Sequence, residues 1–576
     1  MTRLTNLGAI AVAISCAGAP RPFPLRAPLL VDSDTQLVSV ACRPEPSTKE
    51  PARVRCAPSE YVSPFVWDHL DNVVFARLSR ALSIEVSGEA ANATSLDEVA
   101  DSSWFENRIG AAALSIEQRT LGACKPEDLL PEEVADGTWH VDHGKDNGST
   151  PGFRVDVPGK GLYMLKADDP GIPERASAAS VIGAALYNAA GFSTSCEQVV
   201  VIRRAQLSLD PGLTITSNAG ITVPFDAAAL DAVLAATTQV DGGARMQASK
   251  WLPGLSLGPF RYLGVRDDDP NDVIAHEDRR ELRGSRLLAA WINHWDSREQ
   301  NSMDLWLASD AKKTRSSPGY VRHYMLDTSD AFGGGITSRA GTLRLGLAYL
   351  VSLPDVMLDF VTLGAIERPW DRARPMIGRE KFGLFSARDF DPEGWRGLYP
   401  NPAMLRMTER DGAWMARIIA RFTADDIRAI ASAGRFADAR DTEYLAKLLI
   451  DRQHQILVRY LMRLSPLSDV RVVGTDQLCA VDLARSSKAV PADQFHYRIV
   501  EIGAGRRVEL VATVAADGLV CFHPISRGGS ELTDNASEHR VIFEVRNGTA
   551  AGPLEIHAYD LGPRGMFVVG LKRPAP

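Results

Sequence analysis

Residues 281–335 constrain the fold more than any other stretch, because the chain changes its structural habit three times within them. Residues 282–292 carry apolar side chains at helical spacing and lead into the polar loop Asn293-His294-Trp295-Asp296-Ser297-Arg298-Glu299-Gln300-Asn301. Two short strand-like runs follow, 302–308 and 320–326, and the second delivers Asp327 into the turn Thr328-Ser329-Asp330-Ala331-Phe332-Gly333-Gly334-Gly335. One loop and one strand end thus present Asp296, Asn301 and Asp327 together. That is the outline of a metal and phosphate site. The bland alternative makes Asp296 and Asn301 turn or capping residues, positions that Asp and Asn favour.

Upstream, the periodicity is that of strands. Residues 138–143 and 153–157 alternate across a turn-rich loop that contains Gly148, Ser149 and Thr150; the turn Pro158-Gly159-Lys160-Gly161 leads into residues 162–168, which carry Lys166. Backbone N–H groups and the Ser149 and Thr150 hydroxyls are suited to cradle phosphates, with Lys166 as a point charge. A plain hairpin and a solvated lysine are the ordinary alternative. An Ala-rich helix over 176–190 follows, stopped by Gly191, with Pro173 and Glu174 at its start. Residues 197–203 and 245–251 read as strands and 227–236 as a short helix; Leu252-Pro253-Gly254 then breaks the chain as a hinge, with 248–252 beside an adenine edge if ATP binds. The acidic run 266–278 reads as a solvated loop, or as a cleft mouth selecting a cationic acceptor.

Phosphoryl transfer needs few protein groups, and they recur in a fixed order. His294, Asp296 and Asn301 form the pattern His-x-Asp-x-x-x-x-Asn, with Arg298 two places after the Asp and Asp327 at a later strand end. Over residues 137–464 the chain resembles the catalytic core of atypical protein-kinase-like enzymes, the HipA toxin kinases and CotH spore-coat kinases. The resemblance implies an α+β, bilobal protein-kinase-like fold: a β-rich N-lobe over 104–251 and a helical C-lobe over 252–465. It implies ATP and Mg²⁺ as cofactors, Lys166 on the phosphates with Glu174 as its helix partner, and Asn301 and Asp327 on the metal. Asp330 would be a second carboxylate on the metal or a cap of the turn. Asp296 would take the acceptor's proton and Arg298 would neutralise charge on the transferred group. The partners implied are a nucleotide and a protein or small-molecule acceptor, with transfer of AMP as a variant. Two departures stand out: Thr328-Ser329 replaces the Phe-Gly of protein kinases, and Glu174 lies close in sequence to Lys166. No Walker A motif occurs. A metal-dependent hydrolase built on Asp296, Asp327 and Asp330 would need His294 or His323 as a ligand.

The two ends of the chain address location. Met1-Thr2-Arg3 and the apolar residues 4–15 fit a signal peptide over 1–15, and Ala13-Ile14-Ser15-Cys16 resembles a bacterial lipobox. An exported cell-envelope lipoprotein follows, touching the membrane through a lipid on Cys16. The remaining cysteines are then even in number, and Cys42 with Cys56 and Cys479 with Cys521 are candidate disulfides. A net charge of −8 advertises no basic surface, so nucleic acid is not an expected partner. Residues 16–103 read as a Pro-punctuated tether with an amphipathic helix over 65–82, expected to pack its apolar stripe on a later domain. Helices are expected at 353–363, 404–419, 424–433 and 441–463, and after Pro466 a small all-β domain over 466–576, a β-sandwich. Because ATP is scarce outside the cytoplasm, the export signal also motivates a rival: an inactive pseudokinase or a structural binding lipoprotein of the envelope.

Overall fold

The computed structural model describes residues 34–45, 53–76, 78–79, 88–110, 114–146, 148, 150–216, 221–333, 345–372, 378–503, 506–525 and 539–575. The expected signal peptide, Cys16 and Ser149 lie outside the described residues. The chain is a mixed α and β protein with several sheets and three large apolar cores.

The first core belongs to a mostly antiparallel sheet. Trp139–Gly144, Gly152–Val157 and Gly161–Ala167 pair in succession, and Gly161–Ala167 pairs Gly243–Lys250. Gly243–Lys250 also pairs Glu197–Ile202, while Leu207–Leu209 runs parallel to Trp139–Gly144. Alternation sends Val141, Phe153, Val155, Tyr163, Leu165 and Met246 to one buried face, where Leu230 and Leu234 of the helix Ala227–Ala235 cover them. The same pleat sends Lys166, Gln247, Ser249 and Glu197 to the opposite face. That second face meets the helix Arg175–Ala190, whose Ser177 hydroxyl accepts from Arg245 Nε at 2.9 Å.

The second core surrounds the helix Arg280–Ile292. Gly284 allows close approach there: a β-carbon would lie 3.2 Å from the Trp414 ring. The helix ends at Asn293 in a left-handed conformation, φ 55°, and its last carbonyls are taken by Arg452, which donates to Ala290 O at 2.5 Å and Trp291 O at 2.8 Å. The expected helix over 404–419 is two, Pro402–Leu405 and Glu409–Ile419, because Thr408 and Asp411 form a capping box that starts a new helix. The expected 441–463 helix is Ala439–Ile456 continued by one wider turn, Leu457–Leu461.

The amphipathic segment after residue 64 buries only part of the expected apolar stripe. Phe65–Leu70 is helical, and a wider turn, Asp71–Phe75, follows. Val66 is 71% exposed and Leu78 59%, whereas Asn72 and Val73 are buried. Polar groups fix the segment: Asp68 accepts from Gln300 Nε2 at 3.2 Å and from the Tyr399 hydroxyl. Directional bonds to the loop at 293–301 outweigh burial of the apolar stripe.

The third core lies between two C-terminal sheets. Leu467–Val473, Gln477–Asp482, Leu519–Phe522 and Ala512–Val514 form one; Arg506–Leu510, Arg498–Gly503, Arg540–Arg546, Leu554–Asp560 and Met566–Lys572 form the other. Phe522 and Phe543 touch across the gap with ring centres 5.3 Å apart, the arrangement of a β-sandwich. Disulfides join Cys42 to Cys56 and Cys479 to Cys521, and also Cys124 to Cys196. Such bridges belong to oxidising compartments, consistent with a periplasmic or extracellular protein. Among the described residues no helix is long and apolar enough to cross a membrane.

Candidate functional site

Lys166 sits near the end of its strand, and its ammonium reaches Asp327 Oδ2 at 3.0 Å across 161 positions of sequence. Asp327 follows the strand Gly319–Met325 at φ 50°, a left-handed conformation that turns the chain out of the sheet. Ser329 donates to Asp327 Oδ1 at 2.6 Å. Burial alone would raise the Asp327 carboxyl, but the Lys166 charge and the Ser329 bond outweigh it and hold that carboxyl far below the usual range. Burial likewise works against the Lys166 charge, yet Asp327 and Glu197 keep its pKa above the ordinary lysine value.

Glu197 therefore backs Lys166 from the same sheet face. Its carboxylate accepts from Ser195 Oγ at 2.5 Å, Ser249 Oγ at 2.6 Å and Gln247 Nε2 at 2.9 Å. Burial pushes its pKa up, opposed by Lys166 and these three donors. Glu174 does not fill this role. Its backbone N–H is tied to Asp168 Oδ2 at 2.6 Å, which fixes the start of the helix, and its carboxylate takes Lys381 Nζ at 2.7 Å and Ala437 N at 2.9 Å. Sequence reasoning passed over Glu197; the available signal was a single acidic residue opening an otherwise β-branched strand.

The glycine loop supplies a second lysine that sequence reasoning also passed over. Lys145 donates to the Thr150 carbonyl at 2.8 Å, and Gly148, at φ 84°, passes so close that a β-carbon would lie 2.8 Å from Lys145 Nζ. Thr150 thus contributes its backbone to holding the loop. Burial and the nearby Lys166 charge bring the Lys145 amine down to about 8, with Asp327 opposing.

The loop at 293–301 is organised around Asp296. Arg298 grips it with two bonds, Nε to Oδ1 at 2.5 Å and Nη2 to Oδ2 at 3.2 Å. Asn301 Nδ2 donates to the Asp296 carbonyl at 2.8 Å and to Oδ2 at 3.0 Å. Asp330 receives the Asp296 N–H on Oδ2 at 2.9 Å, so it ties the Asp327 turn to this loop. Burial raises both carboxyls; Asp296 has Arg298 and Asn301 against it, whereas Asp330 is driven well above the usual range by burial and by the Asp296 charge. His294 Nε2 and Asp330 Oδ1 are buried 3.4 Å apart, and neither makes a hydrogen bond with a described residue. Burial holds His294 at about 4, so its ring is neutral, and Nδ1 faces the Tyr187 hydroxyl at 3.1 Å. His323 stands apart, stacked on Trp104 and bonded to Asp304 Oδ1 at 2.5 Å.

The donor set suits a hard cation shared with a phosphate. Among the described residues no group of three or more His, Cys, Asp or Glu is placed to hold a metal by itself. Mg²⁺ asks for less, one or two carboxylates with phosphate and water oxygens completing the shell. Asn301 commits its amide nitrogen to Asp296, so its side-chain oxygen would be the atom to face such an ion, and Asp327 would offer the carboxylate. The structure therefore brings Lys166, Lys145, Glu197 and Asp327 together, and ties Asp330 to Asp296, Arg298 and Asn301; Glu174 and His323 are committed elsewhere. Comparisons with family models, curated proteins and solved structures each return no match.

Proposed function

We propose that the chain is a Mg²⁺- and ATP-dependent phosphotransferase of bilobal, protein-kinase-like organisation, exported and anchored through Cys16, that modifies a hydroxyl acceptor. The observation that carries the reading is the 3.0 Å contact between Lys166 and Asp327, a strand lysine and a carboxylate just beyond another strand, 161 positions apart in sequence. In this reading Lys166, steadied by Glu197, and Lys145 receive the nucleotide phosphates. Asn301 and Asp327 would hold Mg²⁺, which when bound offsets negative charge on those phosphates. Asp296 takes the proton of the acceptor hydroxyl as its oxygen bonds to phosphorus and ADP departs; its burial makes it a better base than an exposed carboxylate. Arg298, fixed beside it, offsets charge on the transferred group.

The test uses the chain without residues 1–15, Mg²⁺, and ATP labelled on either the α or the γ phosphate. Transfer of γ label that disappears in both Asp296→Ala and Asp327→Ala supports phosphotransfer, and α label in the product replaces it with transfer of AMP. The disulfides, which favour a compartment poor in ATP, motivate the second reading of an inactive binding lipoprotein. Nucleotide binding without transfer, or no binding, selects that one.

A further inference from the structure

A cavity of about 220 Å³ opens beside Arg298 and Glu299, and the segment at 61–72 forms one wall of it. Aromatic rings of Tyr61, Trp67 and Tyr399 line it, together with the carboxylates of Asp68, Asp71 and Glu299. Two of these acids are already engaged: Asp68 accepts from Asn72 and Gln300, and Glu299 accepts from Tyr61 at 2.9 Å and from Ser63. Asp71 accepts no side-chain hydrogen bond from a described residue. The two cations on the wall are occupied, Arg298 by Asp296 and Arg261 by the Tyr61 ring at 5.4 Å and the Val265 carbonyl. Two acids of the run that sequence offered as a selector of cations are engaged elsewhere. Asp268 binds Arg43 and Ser59, and Asp272 binds His276.

We propose that this cavity is the acceptor site and takes a small hydroxyl-bearing organic cation, an ammonium or guanidinium group adjoining the hydroxyl. The proposal rests on the phosphotransfer reading for the identity of the acceptor, but the binding site stands by itself. An ammonium fits because aromatic faces and a carboxylate without an internal partner attract one, while an anion would face three carboxylates. The volume lies below that of ordinary drug-sized pockets, so the group admitted is a few carbons long. Its hydroxyl would meet the loop at Arg298, next to Asp296. The same chemistry occurs in a free amino alcohol or amino sugar and in a serine flanked by basic residues of a peptide.

Calorimetric titration of the full chain, without nucleotide, with glucosamine, N-acetylglucosamine, ethanolamine and the peptide Arg-Ser-Arg tests this. The expected result is that at least one charged probe binds, that glucosamine exceeds its neutral acetylated form at least tenfold if it is the one that binds, and that Asp71→Asn weakens the bound probe at least threefold. Binding of the peptide alone, or of the small amines alone, identifies the source. Equal binding of glucosamine and N-acetylglucosamine, indifference to both Asp71→Asn and Trp67→Ala, or no binding by any probe overturns the proposal. Nucleotide affinity measured in parallel separates the two ideas: its loss with amine binding intact removes phosphotransfer and leaves the cation site.

Discussion

Gly183, in the middle of the helix Arg175–Ala190, lies so close to Thr328 that a β-carbon on it would stand 2.6 Å from the Thr328 β-carbon. Thr328 Oγ1 donates to the Ala179 and Ser180 carbonyls of that helix at 3.2 Å each, so the turn that begins at Asp327 is keyed onto the helix by a residue without a side chain. Gly183→Ala sets two effects against each other. Alanine gains about 1 kcal/mol of helix propensity, but the clash falls on Cβ and Cγ2 of a buried threonine and costs about 1–3 kcal/mol. Net destabilisation in urea unfolding, with weakened nucleotide binding, is the expected outcome; a more stable variant with unchanged binding contradicts it.

Lys166→Met leaves buried Glu197 and partly exposed Asp327 without their shared cation; because the Asp327 side chain is 35% exposed, solvent screening brings the loss below the roughly 3–5 kcal/mol of fully buried broken pairs. Adding Glu197→Gln removes one of the two stranded carboxylates and recovers part of that loss. The double-mutant cycle in urea checks the coupling, and strict additivity would show that Glu197 does not sense Lys166.

Lys145 gives the proposed phosphate site a pH response. Its folded pKa of about 8 lies below the ordinary 10.5, so folding favours the neutral amine and stability rises with pH between those values. Phosphates favour the charged amine instead. Nucleotide affinity should fall as pH passes upward through about 8, by up to about tenfold for each unit that phosphate raises this pKa. Lys145→Arg should flatten the profile between pH 7 and 9.5, as read by fluorescent-nucleotide titration.

Glu299 works in the opposite sense. Burial and the Asp68 charge push it up to about 7 from 4.5, so its contribution to stability is whole below 4.5 and is lost as pH rises through about 7. Glu299→Gln should raise the melting temperature at pH 8.5 relative to the parent and change it little at pH 4.5. The gain is bounded by about 3 kcal/mol, since each pKa unit is about 1.4 kcal/mol. Equal effects at both pH values would show that Glu299 does not titrate between them.

Local pattern carried much of this architecture. Alternation marked the strands around Lys166, and the turn signals placed the helix ends at Gly191 and Asn293 within a residue or two. The loop motif put Asp296, Arg298 and Asn301 in one hydrogen-bonded group. What failed to show was anything decided by a partner distant in the chain. Glu174 and Glu197 are both single acids flanking apolar elements, and only the pairing of Glu197–Ile202 with Gly243–Lys250 puts Glu197 on the Lys166 face. The stripe at Val66, Leu70, Val73 and Leu78 had the spacing of a core-facing helix, but only Val73 of these is buried, because Asp68 on the other side found partners in Gln300 and Tyr399. Periodicity reports which face is apolar and is silent about which face a specific bond will claim.

The bridge between Cys124 and Cys196 bears on when the cleft comes into being. It closes a ring spanning 72 positions that contains the glycine loop, the Lys166 strand and the Ala-rich helix, and it leaves the ring one residue before Glu197. Such a closure withdraws about 4 kcal/mol of chain entropy from the unfolded state. A chain with its thiols still reduced lacks that constraint on the segment that carries Lys166 and ends just short of Glu197. Oxidation thus adds rigidity to the stretch that carries Lys166, in keeping with an oxidising compartment as the place where the chain works.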